Sequence, residues 1–300
     1  MTKNTNGPVP FDQYLEAELQ KIRGIWYPVK CGLPRRLLKR YASIRNLHPN
    51  PNDEFCDPKI GPSHSVLSGY EAELRRLHTR KVRRSFESRV NEPLEVQKIR
   101  PDGYLILNGH HRWGAAYKTG VTTLPIHIVD LTQKSDLENM LKASKHDRRV
   151  AFDLDETVLQ PLPGTKDGLE KPMPFFLRRF CRERIRLGIP ALFQFLAQQG
   201  YDVWVYTDRY VSLDHLRFLF MYYHCPVIGM ITGMGRKSPL GTDMKKKMEA
   251  MLETRYASTL HVDSETVLKT IAHSKEYEIL PLNLSSVTWS QAVMDTVSRL

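Results

Sequence analysis

Two aspartates one residue apart, Asp153 and Asp155, close the apolar run Val150-Ala151-Phe152 and are followed by Glu156 and Thr157. Alternate side chains of a strand share a face, so both carboxylates fall on one side where the strand opens into a loop. Converging carboxylates make a hard-oxygen site suited to Mg2+. One can act as nucleophile while its neighbour moves protons. Aspartate is also a favoured turn residue, so the pair alone fits a plain strand-to-loop turn equally well.

The wider run, Val150-Ala151-Phe152-Asp153-Leu154-Asp155-Glu156-Thr157-Val158-Leu159, resembles the first motif of the haloacid dehalogenase (HAD) phosphatases, an apolar strand ending in DxDx(T/V)(L/V). Its DLDET form is most similar to the subset that includes phosphatases of a polymerase tail. The resemblance implies that Asp153 attacks phosphorus to give an aspartyl-phosphate. It implies that Asp155 protonates the leaving oxygen and later activates water. The strand expected over 202–206 ends at Thr207, which resembles the second motif, whose hydroxyl holds the transferring phosphoryl oxygens. The third motif is a lysine that offsets phosphate charge, and two positions compete for it. Lys245 opens a helix expected over 244–256, and Lys237 stands in Arg236-Lys237-Ser238-Pro239. The triple Lys245-Lys246-Lys247 is equally read as a solvated face. An apolar run from Ser258 to Val262 ends at Asp263, which resembles the fourth motif. The implied Mg2+ ligands are Asp153, Asp155 and Asp263, with Glu265 reaching the metal through water.

A second stretch, 94–130, parses as strand, turn at Pro101-Asp102-Gly103, strand, and a tight Asn108-Gly109-His110-His111-Arg112 loop. A helix to Lys118 and a final strand follow. A glycine loop before a helix offers backbone N–H groups and a positive dipole end to an anion. Arg112 in the first turn adds a forked phosphate donor. Strand, turn, strand, G-x-x-R, helix, strand is similar to the ParB/sulfiredoxin superfamily, with Gly109-His110-His111-Arg112 in place of its phosphate-binding box. The resemblance covers 42–130 and implies a nucleotide there: CTP as in ParB proteins, or ATP or ADP as in sulfiredoxins and free-serine kinases. Sulfiredoxin chemistry needs a cysteine where His110 stands. The serine-kinase branch implies a base glutamate in an early loop, for which Glu54 is the candidate, with Asp53 next to it. Adjacent histidines point different ways. His111 and Arg112 are taken as the ligand-facing pair, whereas packing or loop hydrogen bonding serves His110 equally. No further Cys or His stands at zinc-ligand spacing from them.

The elements around these residues give the layout. The 300 residues suggest two domains. A helical extension is expected over 1–41, with an amphipathic helix over 11–26, and a ParB/sulfiredoxin-like α+β module over 42–130. Its early loop, 48–63, carries four prolines, and a basic helix follows over 68–89. A helical linker over 131–147 leads to a Rossmannoid HAD-like domain over 148–300. That α/β domain should hold a parallel sheet with helices on both faces, ligand at the strand carboxyl ends, and minimal or no cap.

Charge separates the halves. Residues 1–150 carry 26 Lys/Arg against 16 Asp/Glu, and 151–300 carry 18 against 17. The basic excess, densest at Arg75, Arg76, Arg80, Lys81, Arg83, Arg84 and Arg89, fits nucleic acid or polyphosphate, or a solvated helix face. No apolar run reaches the roughly 18 residues a membrane span needs. The N-terminus lacks the apolar core of a secretory signal, and the four cysteines form no CxxC, so a reduced, cytoplasmic protein is expected. The expected function is a Mg2+-dependent phosphomonoesterase acting on a small molecule or a nucleic-acid end, with a nucleotide-binding N-terminal module. The alternatives are a bifunctional kinase–phosphatase and a nucleic-acid-binding or regulatory ParB-like protein.

Overall fold

The structure is a computed structural model that describes residues 10–22, 26–79, 91–159, 168–235, 241–285 and 287–300. The chain forms two compact units, one from 1–130 with 236–241, the other from 131–235 with 242–300.

The first unit starts with α1 (Phe11–Ile22), whose Leu15, Glu18 and Ile22 are buried at helical spacing. This helix belongs to the module's core. Tyr14 stacks on Tyr117 with ring centroids 3.7 Å apart, and Phe11 packs edge-on to Trp113 at 6.1 Å. Then come β1 (Tyr27–Pro28), α2 (Leu33–Leu38), β2 (Tyr41–Ser43) and β3 (Leu47–His48). Residues 41–48 form two short strands rather than one. The Ser43 hydroxyl accepts the Arg45 N–H and starts a 3-10 turn over Ile44–Asn46. The two halves therefore join different neighbours, β2 pairing β6 and β3 pairing β5. The proline-rich loop holds another 3-10 turn, Glu54–Cys56, capped by Asp53, and leads to α3 (His64–Thr79). Arg80, Lys81, Arg83, Arg84 and Arg89 of the expected basic helix lie outside the described residues. The unit closes with β4 (Leu94–Arg100), β5 (Tyr104–Asn108), α4 (His110–Thr119) and β6 (Thr123–Ile128) in a mixed sheet ordered β2-β6-β4-β5-β3, β1 flanking β4.

The second unit holds α5 (Lys134–Ala143), β7 (Arg148–Asp153), α6 (Ile189–Gln198), β8 (Tyr201–Thr207), α7 (Leu213–Tyr222) and β9 (Gly229–Thr232). After these come α8 (Gly241–Arg255), β10 (Ser258–Val262), β11 (Thr266–Ile271), β12 (Tyr277–Pro281) and α9 (Trp289–Val297). The segment expected as a linker is packed into this unit. The Thr132 N–H donates to the Thr232 hydroxyl at 3.1 Å, and Met140 is buried.

The sheet runs β12-β11-β10-β7-β8-β9. β10, β7, β8 and β9 are parallel, while β11 and β12 are antiparallel, so the sheet is mixed where a parallel one was expected. The connections 263–265 and 272–276 are too short for a crossover and can only make hairpins. Alternation along β7 buries Phe152 against Phe193 of α6 at 4.8 Å and against Trp289 of α9 at 6.4 Å. Burying each such ring is worth about 2–3 kcal/mol. On the other face Gly229 lies under the Trp204 ring, where an added Cβ would come within 2.1 Å, so only glycine fits. The chain leaves β7 toward β8 and β9, then returns to β10 on β7's other side. The strand order reverses between β7 and β10, and ligands of α/β sheets bind at the carboxyl ends beside such a reversal.

Candidate functional site

Asp153 ends β7 at that reversal. The chain then forms a π-helical turn, Leu154–Leu159, whose first N–H groups have no partner within the turn. Asp153 Oδ1 accepts two of them, from Asp155 and Glu156, at 2.7 Å each. The turn-forming and the chemical roles of this aspartate are therefore compatible. One oxygen fixes the turn, and Oδ2 has no hydrogen-bond partner among the described residues. The turn is clamped from behind by the fully buried Arg186, whose guanidinium donates to the Glu156 carbonyl at 3.2 Å and lies over the Trp289 ring.

Asp155 is oriented by the next strand. The Thr207 hydroxyl, at the end of β8, donates to Asp155 Oδ2 at 2.7 Å and accepts the Arg209 N–H at 3.0 Å. The Arg209 guanidinium donates to Asp155 Oδ1 at 3.0 Å. Asp263 follows β10, and its Oδ1 accepts the Ser264 N–H at 2.6 Å. Asp153, Glu156, Thr157 and Asp263 line one cavity of about 450 Å³, whose floor includes Ala151 and Leu268.

Three expectations change here. The carboxylates of Asp153, Asp155 and Asp263 do not close into one metal-sized group among the described residues. Asp155 bonds to Thr207 and Arg209 instead, and the carboxylates that line the cavity are Asp153, Glu156 and Asp263, which suit Mg2+ in donor type. Lys245 donates to the backbone carbonyls of Met234 and Gly235 rather than to a carboxylate of the site. Lys237 lies outside the described residues, and Glu265 is exposed. Among the described residues, the cation paired with Asp155 is Arg209, which no motif flagged; its one signal was its place two residues past Thr207.

Beyond Arg209 lies a group the motifs also missed. Arg209 comes within 3.9 Å of Glu183 Oε1, while Glu183 Oε2 meets His215 Nε2 at 3.2 Å and Cys181 Sγ at 3.3 Å. The hydrogen bond from His215 holds the Glu183 carboxyl at about 2, and burial pushes the Cys181 thiol up to about 12.

In the first unit the Gly109-His110-His111-Arg112 loop is built differently. Gly109 has φ 103°, and a Cβ there would lie 2.9 Å from the Arg112 guanidinium. Arg112 is buried and donates to the carbonyls of Glu92 and Pro93, so it serves the fold rather than standing as a forked phosphate donor. His110 Nε2 accepts the Asn50 N–H at 3.1 Å, and its Nδ1 lies 3.7 Å from Asp53. His111 Nε2 accepts the Ser63 N–H at 3.1 Å, with its ring edge-on to Phe55 at 4.9 Å. The two histidines thus pin both ends of the 48–63 loop. Asn108 reaches Glu95 at 3.4 Å, and Glu54 is exposed on its 3-10 turn.

Residues 84–145 match the ParB N-terminal domain family, a span that takes in β4 to α5. An uncharacterised protein of Methanocaldococcus jannaschii is 24% identical over 145 residues, 46% of this chain and 47% of that one. A solved ParB chromosome-partitioning protein of Caulobacter crescentus, bound to the centromeric parS site, is 25% identical over 36% of this chain and 51% of its own, with a TM-score of 0.22. The chain thus spans about half the length of each of these relatives. The module around β4–α5 is ParB-like. No described helix is long and apolar enough to cross a membrane.

Proposed function

We propose that the second unit is a HAD-type phosphomonoesterase and that the ParB-like module recruits its substrate or a regulator. One observation carries the hydrolase reading. Asp153 stands at the end of β7 with one oxygen tied to the turn and its side chain among those lining the cavity, and Asp155 is oriented by a strand-end threonine. In the proposed reaction Asp153 Oδ2 bonds to phosphorus as the bond to the leaving oxygen breaks, that oxygen taking a proton from Asp155. Asp155 then removes a proton from water, whose oxygen bonds to phosphorus as the bond between phosphorus and Asp153 Oδ2 breaks and the carboxylate is restored. Thr207 and Arg209 hold Asp155 in place, and Arg209 offers positive charge to the phosphoryl oxygens. Asp153 and Asp263 would hold a Mg2+, which would supply charge neutralisation at the phosphoryl group.

The test is hydrolysis of p-nitrophenyl phosphate, phosphorylated metabolites and 3′- and 5′-phosphorylated oligonucleotides with Mg2+ present. Turnover by the wild type and its loss in Asp153→Asn is expected. Equal turnover by the two proteins would remove the nucleophile.

A second reading, nucleic-acid binding or regulation, is favoured for the first half by the ParB N-terminal match and by the basic excess of 1–150. Oligonucleotide affinity falling steeply with salt would support it. A nucleotide such as CTP, ATP or ADP at this module would rest on the backbone N–H groups that open α4. Turnover of ATP or ADP by Asp153→Asn would point to the kinase alternative, with Glu54 as its base.

A further inference from the structure

Cys181, Glu183 and His215 come from a loop and from α7, 34 residues apart at the extremes, and their donor atoms all lie within 4.8 Å of one another. We infer that these three side chains form a second metal site, selective for a borderline-soft divalent transition cation such as Zn2+.

Three features of the cluster carry this. The first is donor type: a thiol, an imidazole and a carboxylate are the common zinc ligands, and sulfur with nitrogen disfavours Mg2+ and Ca2+. The second is spacing. Ligands 2.0–2.3 Å from a tetrahedral ion stand roughly 3.3–3.6 Å apart. Here Sγ to Oε2 is 3.3 Å and Nε2 to Oε2 is 3.2 Å, close to two of the three separations such an ion needs, and all three atoms lie within 4.8 Å of one another. The third is support around the ligands. Cys181 is buried, with its sulfur directed at the cluster, and Glu183 Oε1 is turned to Arg209 at 3.9 Å, which leaves Oε2 as the ligand oxygen. Partners of this kind fix ligand orientation in metal sites.

With three protein ligands the fourth position is left to solvent. The thiol proton passes to water as the ion binds, and the neutral imidazole coordinates through Nε2. The site is distinct from the Asp153–Asp263 cavity. Arg209 links Glu183 to Asp155, so metal at Glu183 would fix the guanidinium that orients Asp155.

The experiment uses the full chain, stripped with chelator and titrated with Co2+ in excess Mg2+. The wild type is expected to show a thiolate-to-cobalt charge-transfer band saturating at one ion per chain, with Zn2+ displacing the cobalt. Cys181→Ser and His215→Ala should each lose the band, and Cys225→Ser should keep it, with circular dichroism checking that the variants fold. A wild type without the band means that the three groups only hydrogen-bond to one another, and the inference falls. A band that persists in Cys181→Ser overturns it equally. The wild-type spectrum decides even if a variant misfolds, and none of these outcomes depends on phosphatase activity.

Discussion

The turn after Asp153 and the loop before Arg112 are alike in sequence logic and opposite in outcome. Each is a strand running into a helical turn, with ionisable residues where backbone N–H groups emerge. At Asp153 the turn takes one carboxylate oxygen and leaves the other without a hydrogen-bond partner among the described residues, in a residue that lines a cavity. At Gly109-His110-His111-Arg112, Arg112 goes to two backbone carbonyls and both imidazoles accept backbone N–H groups of the 48–63 loop. A carboxylate has more acceptor positions than a turn consumes, whereas an imidazole has one acceptor nitrogen and loses it to a single bond. Motif residues of the first kind are left for chemistry, and those of the second kind become part of the scaffold.

The comparison breaks first at Asp153. Asp153→Asn keeps the turn-fixing oxygen and removes the nucleophile, so phosphatase turnover should fall by roughly three orders of magnitude or more at nearly unchanged stability. Steady-state hydrolysis beside a urea melt measures both. In Arg112→Ala the pattern should invert. Stripping a buried guanidinium from two carbonyls should destabilise the first unit by roughly 2–3 kcal/mol in urea and leave the hydrolysis rate intact. A variant that melts like the wild type but loses nucleotide affinity would restore Arg112 as a phosphate ligand.

Arg209 sharpens the contrast within the proposed hydrolase site. Arg209→Ala should lower kcat/KM on the order of tenfold, the worth of one charge-assisted bond, and Arg209→Lys should recover part of it. No change would return the charge-neutralising role to a lysine.

The smallest expected effect lies in the first unit, at Glu18. Burial by itself would raise this carboxyl, but hydrogen bonds from His48 and Lys21 outweigh it and hold it below the ordinary value of 4.5. A lowered folded value means that the ionised pair stabilises fully above about pH 4.5, and that this contribution disappears as pH falls through the folded value. Glu18→Gln should cost roughly 1 kcal/mol at pH 7 and progressively less in acid, as read from melts across pH.

Local sequence settled what local physics controls. The apolar run that makes β7 a strand, the glycine that opens α4 and the aspartate pair at a strand end are visible without a fold, because each depends on residues within a short stretch of chain. Tertiary structure decided which polar atoms remain available. His110 is engaged by Asn50, 60 positions away, and Asp155 by Thr207, 52 positions away. Lys245 looked like the charge-neutralising lysine until the carbonyls of Met234 and Gly235 took it. Cys181 and His215 had no metal spacing in the chain and acquired one only when the loop met α7. A buried polar group bonds to whatever partner the fold brings, and that partner's distance along the chain carries no local signature.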